Sequence, residues 1–208
     1  AISLDGELGG EALLQRAAVV GRIFWEGALE RLSPELDSIE GPLDDLRLRE
    51  FVLDEERSSI RGERAYKFKH VLIREVAYAG LSKSARAEHH ARFAEWLKER
   101  AGEELLEIRA FHLERATALL AELDGTAPTE LQHEAAEALT EAGIRAFARD
   151  ANRTARHHLV RAVELEPTLR RRYLAARAAA RLTDLPVVSR EMEEVLATAI
   201  QEGDASTQ

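Results

Sequence analysis

The chain has 208 residues, 45% of them apolar and 32% charged, with a net charge of −9 and an isoelectric point near 5.4. This is an ordinary globular composition, enough for one large or two small domains, and its acidity disfavours nucleic-acid binding through bulk charge, which needs clustered Lys and Arg. Cysteine is absent, which excludes disulfides, zinc–thiolate sites and thiol chemistry. No apolar run reaches the length of a membrane span and no leader is apparent, so a cytoplasmic chain with no membrane partner is expected. Ala1 in place of Met reads as the start of a piece of a longer protein.

Residues 1–8 read as a ragged start. Residues 11–20 form a first helix, with Leu13, Leu14, Ala17, Ala18 and Val20 on or near one face, closed by Gly21. Residues 24–32 read as a short second helix, stopped by Ser33-Pro34. A third spans 42–53, with Leu43, Leu46, Leu48, Phe51 and Val52 apolar and Pro42 in its first turn. Two extended segments follow, 55–60 and 65–70, separated by the turn Arg61-Gly62-Glu63. Three helices and then a β-hairpin is the order of a winged helix, which is the expectation for residues 1–81.

From there the pattern is helical, so the fold class is mainly α. Residues 84–100 carry Ala85, His89, Phe93, Trp96 and Leu97, and residues 103–123 carry Leu106, Ile108, Leu113, Ala116 and Leu120. Residues 82–129 therefore read as connecting helices that end in the linker 124–129. Helices at 131–151 and 154–165 form a pair ended by Pro167. Helices at 169–182 and 187–200 form another, split by Asp184-Leu185-Pro186, and 203–208 read as frayed. All five prolines fall at expected helix edges.

The pair before Pro167 has the pattern of a tetratricopeptide repeat, a unit of about 34 residues whose helices cross closely over small side chains. Leu139, Ala142-Gly143 and Ala146 fill the first helix, and Ala155, Leu159 and Ala162 the second. The next pair keeps the helices without that small-residue signature and reads as a degenerate or capping repeat. Residues 130–208 are thus expected to form a tetratricopeptide-like array.

Few residues suggest chemistry. His89-His90 and His157-His158 are adjacent, and neighbouring helix positions diverge by about 100°, which suits joint metal ligation poorly. His112 and His133 have no motif around them. All read as structural or surface residues, and no metal is expected. There is no phosphate-cradling glycine loop, dinucleotide fingerprint or nucleophile elbow. Asp44-Asp45 and Glu55-Glu56 read as solvated faces. No catalytic residue, no enzymatic activity and no cofactor of its own are expected. As a recognition helix, the third offers Arg47 and Arg49 against Asp44, Asp45, Glu50 and Asp54. The hairpin offers Arg57, Arg61 and Arg64 against Glu55, Glu56 and Glu63, so nucleic acid is a disfavoured partner.

The most informative stretch is 66–78. Tyr66, Phe68 and His70 alternate with Lys67 and Lys69 as in a half-buried strand, and from Val71 on Leu72, Ile73, Val76, Ala77 and Gly80 follow a helical stripe. His70 thus sits at a strand-to-helix junction, where free N–H groups and partial positive charge suit phosphate.

This order of elements resembles the region behind the nucleotide-binding core of signal-transduction ATPases with numerous domains (the STAND class), as in the ATPase segments of actinobacterial adenylate/guanylate cyclases and large transcriptional regulators. Residues 17–25 are similar to that family's opening helix, and Phe68-Lys69-His70-Val71-Leu72-Ile73-Arg74-Glu75-Val76-Ala77-Tyr78 to its most recognisable motif. Arg86 with His90, and residues 108–116 around His112, are also similar, and the match extends over about 11–120. The resemblance implies a regulatory, non-catalytic role that couples an ATPase core to sensor or output domains by protein contacts, with ATP or ADP held by the core. It also implies that His70, with Arg74, senses nucleotide. His70 matches the histidine of the Met-His-Asp motif of related switch ATPases, which reaches the β-phosphate of ADP; Lys69 and Val71 stand at the flanking positions. The competing reading of His70 is that it caps the helix or packs beside Tyr66 and Phe68. Two other readings of the whole stay open: a stand-alone tetratricopeptide-type protein-binding module, and a DNA-binding winged helix.

Overall fold

A computed structural model describes residues 4–182 and 185–205. The fold is mainly α, with ten helices and one three-stranded sheet among the described residues. The chain divides into two compact units, residues 1–105 with 118–126 and residues 106–117 with 127–208.

The first unit runs α1 (Leu4–Val20), β1 (Ile23–Trp25), α2 (Glu26–Leu32), α3 (Glu40–Leu48), β2 (Val52–Glu55), β3 (Ala65–Phe68), α4 (Val71–Ala79) and α5 (Lys83–Arg100). The sheet order is β1-β3-β2, with both pairings antiparallel. The expected second helix loses its first residues to a strand. Ile23, Phe24 and Trp25 are β-branched or aromatic, and they pair with Lys67, Tyr66 and Ala65. The expected third helix ends early. Glu50 adopts φ 56°, an uncommon left-handed conformation for a residue with a side chain, and Val52 enters the sheet opposite Phe68. The strand expected at 55–60 is consequently Val52–Glu55. Leu48, Phe51 and Val52 satisfy a helical and an extended pattern alike, so periodicity alone misplaces the boundary. The ragged start expected for 1–8 is helical from Leu4; residues 1–3 lie outside the described residues.

The core of this unit is aromatic. The fully buried Phe24 ring lies 5.9 Å from Tyr66 and 5.4 Å from Phe68. Trp25 reaches the other way, 6.2 Å from Phe93 and 5.9 Å from Trp96, both on α5. Tyr66 donates its hydroxyl to Glu26 Oε2 at 2.9 Å. Burial, reinforced by that bond, pushes the phenol up to about 12. Ser82 caps α5 by accepting the Ala85 N–H at 3.1 Å.

Helix α6 (Leu106–Asp124) is continuous, and residues 106–117 of it belong with the second unit. That unit continues with α7 (Thr129–Ala148), α8 (Asn152–Leu165), α9 (Leu169–Arg181) and α10 (Leu185–Ala205). The break expected at Asp184 lies partly outside the described residues, and α10 already includes Leu185 and Pro186. Of the expected frayed end, 203–205 are helical and 206–208 lie outside the described residues. Helices α7 and α8 cross where Gly143 faces Leu159; a Cβ on Gly143 would lie 2.6 Å from Leu159 Cγ. Ala142, Ala146, Ala155 and Ala162 are fully buried. Helix α9, expected to lack small packing residues, buries Ala175, Ala176, Ala178 and Ala179.

The crossing makes a prediction. Gly143→Ala gains about 1 kcal/mol of helix propensity, but it drives a methyl into the branch point of a buried leucine, at about 1–3 kcal/mol. The expected net loss in the second unit is about 0–2 kcal/mol, read from urea unfolding by far-UV circular dichroism. A stabilised variant would mean that the helices separate without cost.

Two half-buried or buried histidines predict acid sensitivity. His89 on α5 and His158 on α8 are held below the ordinary imidazole value, chiefly by burial. Arg16 and Arg92 push His89 further down against Glu88 and Glu35, and His157 does the same to His158 against Glu107 and Glu114. Such a group stays neutral in the folded chain while the unfolded chain binds a proton. Stability is therefore unaffected above about pH 6.5 and falls as pH drops below it. Both tryptophans, Trp25 and Trp96, lie in the first unit, so their fluorescence reports that unit alone. The urea midpoint seen by tryptophan should fall from about pH 7 to 5.5, and His89→Leu should flatten that slope. An unaltered slope in the variant would show that His89 does not carry it.

Candidate protein-docking site

Strand β3 ends at Phe68, and the Lys69 N–H donates to the Phe51 carbonyl at 3.1 Å. His70 follows in extended conformation, φ −133° and ψ 141°, and α4 begins at Val71. The expected strand-to-helix switch at His70 is therefore present. The imidazole is exposed and makes no capping hydrogen bond, whereas Tyr66 and Phe68 are buried. His70 thus neither caps the helix nor shares the burial of its strand neighbours. Arg74, one turn on, is half-buried, and its Nε donates to the Ala18 carbonyl on α1 at 3.1 Å. The two residues selected from sequence are separated in role: His70 faces solvent, and Arg74 ties α4 to α1.

Helix α4 uses only part of its apolar surface for packing. Ala77 is buried and Ile73 half-buried, while Val71, Leu72 and Val76 are 57%, 66% and 73% exposed. The reason lies in the sequence VLIREVAYA, which is apolar on more than one stripe, so one seat against α1 cannot cover it. Leu72 and Val76, one turn apart, form a ridge beside a groove of about 520 Å³ that Leu14, Gln15, Phe51, Ile73 and Gly80 also line.

The C-terminal end of α4 is pinned from α5. Arg86 stacks on the Tyr78 ring at 4.5 Å, and its Nε and Nη2 donate to the carbonyls of Tyr78 and Ala79 at 3.1 and 3.0 Å. The Tyr78 carbonyl also accepts the Leu81 N–H at 3.2 Å, and a cation at these last carbonyls suits the helix dipole. Tyr78 Oη lies 3.1 Å from Nε2 of the buried His90. Arg86 enters the sequence reading only by resemblance and His90 also as a structural or surface residue; here they hold α4 in place. The exposed ridge on α4 was missed. The available signal was the width of its apolar surface.

The cations near the sheet face carboxylates. Arg47 donates to Asp44 and Asp54 at 2.8 and 2.7 Å, Arg49 lies 3.0 Å from Asp45, and Lys67 lies 3.1 Å from Glu55. Arg64 pairs with Glu26. Among the described residues no group of three or more His, Asp or Glu side chains is placed to hold a metal ion, and no helix is long and apolar enough to cross a membrane.

No protein-family model, no curated protein and no solved structure matches the chain.

Proposed function

We propose that the chain is a non-catalytic relay segment of a larger signalling ATPase, in which the α4 ridge docks on a nucleotide-binding core and the second unit continues toward a sensor or output domain. The observation that carries this reading is the ridge of Leu72 and Val76, left exposed beside an apolar groove, with His70 at the head of the same helix. Soluble chains seldom leave such a surface uncovered unless it is used. The order helix, strand, two helices and two strands, with sheet order β1-β3-β2, supports a winged helix in the first unit. The close crossing at Gly143 supports a tetratricopeptide-like pair in the second. In this reading the protein resembles the STAND class and works in the cytoplasm. His70 donates to a phosphate of ADP held by the core, and Arg74 senses the nucleotide indirectly by seating α4. The chain itself carries no cofactor. DNA binding is disfavoured because Arg47, on the helix that would enter the groove, and Arg49, at its C-terminal cap, already face aspartates.

The test uses the parent protein. Leu72→Asp with Val76→Asp should speed ADP release and raise basal output roughly ten- to a hundredfold, the shift expected when a docking contact that favours one state is lost. His70→Ala should weaken ADP retention by a similar factor, since a charge-assisted hydrogen bond contributes about 1.5–3 kcal/mol. In the isolated chain neither change should move the tryptophan-detected unfolding by more than about 0.5 kcal/mol, the usual range for surface positions. Calorimetry of the isolated chain with ATP or ADP should show no micromolar binding. Unchanged ADP retention in the parent variants would end the proposal.

A further inference from the structure

On helix α9, Arg171 and Arg172 meet carboxylates, whereas Arg177 and Arg181 have no carboxylate partner among the described residues. Elsewhere in that unit arginines meet carboxylates: Arg109 pairs with Glu134, Arg149 with Glu107, Arg156 with Glu191 and Arg161 with Glu114. Arg177 and Arg181 lie instead over aromatic rings. The Arg177 guanidinium is 5.2 Å from the centroid of Phe147 and 5.7 Å from that of Tyr173, and Arg181 is 5.5 Å from Phe147. Both arginines are exposed and stand one helical turn apart. A guanidinium stacked by its face keeps its N–H donors at the edge, in the fork that a carboxylate matches.

Beside Arg177 is an apolar recess of about 190 Å³ lined by Ile144, Phe147, Ala148, Leu159, Leu174 and Arg177. Cavities for small-molecule ligands run to about 300–1,000 Å³; this one has room for a single apolar side chain. Ile144, in its lining, remains 38% exposed, and Tyr173, under Arg177, 44%. We propose that the surface formed by Phe147 on α7 and Tyr173, Arg177 and Arg181 on α9 docks an acidic peptide segment of a partner protein, with one apolar anchor side chain in the recess and flanking carboxylates on the two guanidiniums. Charge complementarity selects this occupant. A nucleic-acid strand fits less well, because the two guanidiniums already lie over the Phe147 ring on which a base would stack. The site belongs wholly to the second unit and does not depend on the relay reading of α4.

The test is fluorescence anisotropy of the full chain with a short labelled peptide of Asp and Glu residues around one central Leu. The comparisons are the same peptide with Asn and Gln for the acids, the same peptide with Ala for the Leu, and a single-stranded uridine oligonucleotide. The acidic Leu peptide should bind at least tenfold more tightly than each, and more weakly as salt rises from about 50 to 200 mM. Arg177→Ala with Arg181→Ala should reduce binding at least tenfold. Ala148→Leu, which fills the recess and leaves the charges in place, should do the same; it keeps the test open if the double variant folds poorly. No binding at millimolar peptide, equal binding of the uncharged peptide, stronger binding of the oligonucleotide, or full binding by a folded Ala148→Leu variant would each overturn the proposal.

Discussion

Phe24→Ala is expected to lower the stability of the first unit by about 3–5 kcal/mol, the range for truncating a buried aromatic. Phe24 is fully buried, contacts the Tyr66 and Phe68 rings at 5.9 and 5.4 Å, and stands on the edge strand that pairs with β3. Its loss leaves a cavity between two strands and α2, where regular backbone limits collapse. A loss of this size is a large share of the stability of an ordinary domain. The measurement is urea unfolding followed by tryptophan fluorescence, which reads this unit alone because Trp25 and Trp96 both lie in it. A cost under about 1 kcal/mol would mean that the strand relaxes around the gap. Phe24→Leu, which keeps most of the volume, should recover a large part of the loss.

Arg171→Ala is expected to cost the second unit about 2–3 kcal/mol. Arg171 is 3% exposed. Its Nε donates to Thr140 Oγ1 at 3.0 Å, its Nη1 to the Glu166 carbonyl and carboxylate at 3.1 and 2.7 Å, and its Nη2 to Glu137. Thr140 accepts that bond while donating its own hydroxyl to the Ala136 carbonyl at 2.6 Å, so each group in the network is satisfied. Breaking a fully buried ion pair costs about 3–5 kcal/mol because a charge is left stranded. Here the carboxylates of Glu137 and Glu166 are 50% and 37% exposed and can rehydrate, which lowers the figure. Far-UV circular dichroism should report the loss while the tryptophan transition stays in place. Arg171→Met keeps the packing of the stem and should cost less than Arg171→Ala. Equal costs would assign the effect to the charge network alone.

The histories of particular elements show why some features are legible and others are not. The helices after residue 82, the small residues at the α7–α8 crossing and the strand-to-helix switch at His70 follow from local signals: period, size and β-branching. The ending of α3 is different. Leu48, Phe51 and Val52 fit two periods, and the left-handed turn at Glu50 is stabilised by pairing with β3, which is distant in sequence. Strand β1 likewise exists because Phe24 and Trp25 find Tyr66 and Ala65 across the sheet. Of the two residues singled out at the site, His70 lies on the surface and Arg74 against α1, a distinction that no spacing encodes.

Local signals place the helices after residue 82, mark several of their ends with proline or glycine, and exclude cysteine chemistry, because those properties depend on near neighbours and on composition. Contacts between elements set which apolar side chains of α4 are covered, that Arg171 is buried and satisfied, and that Arg177 and Arg181 lie over aromatic rings. Each of these depends on what another element brings to the same place, and burial and pairing are properties of that meeting rather than of either strand or helix alone.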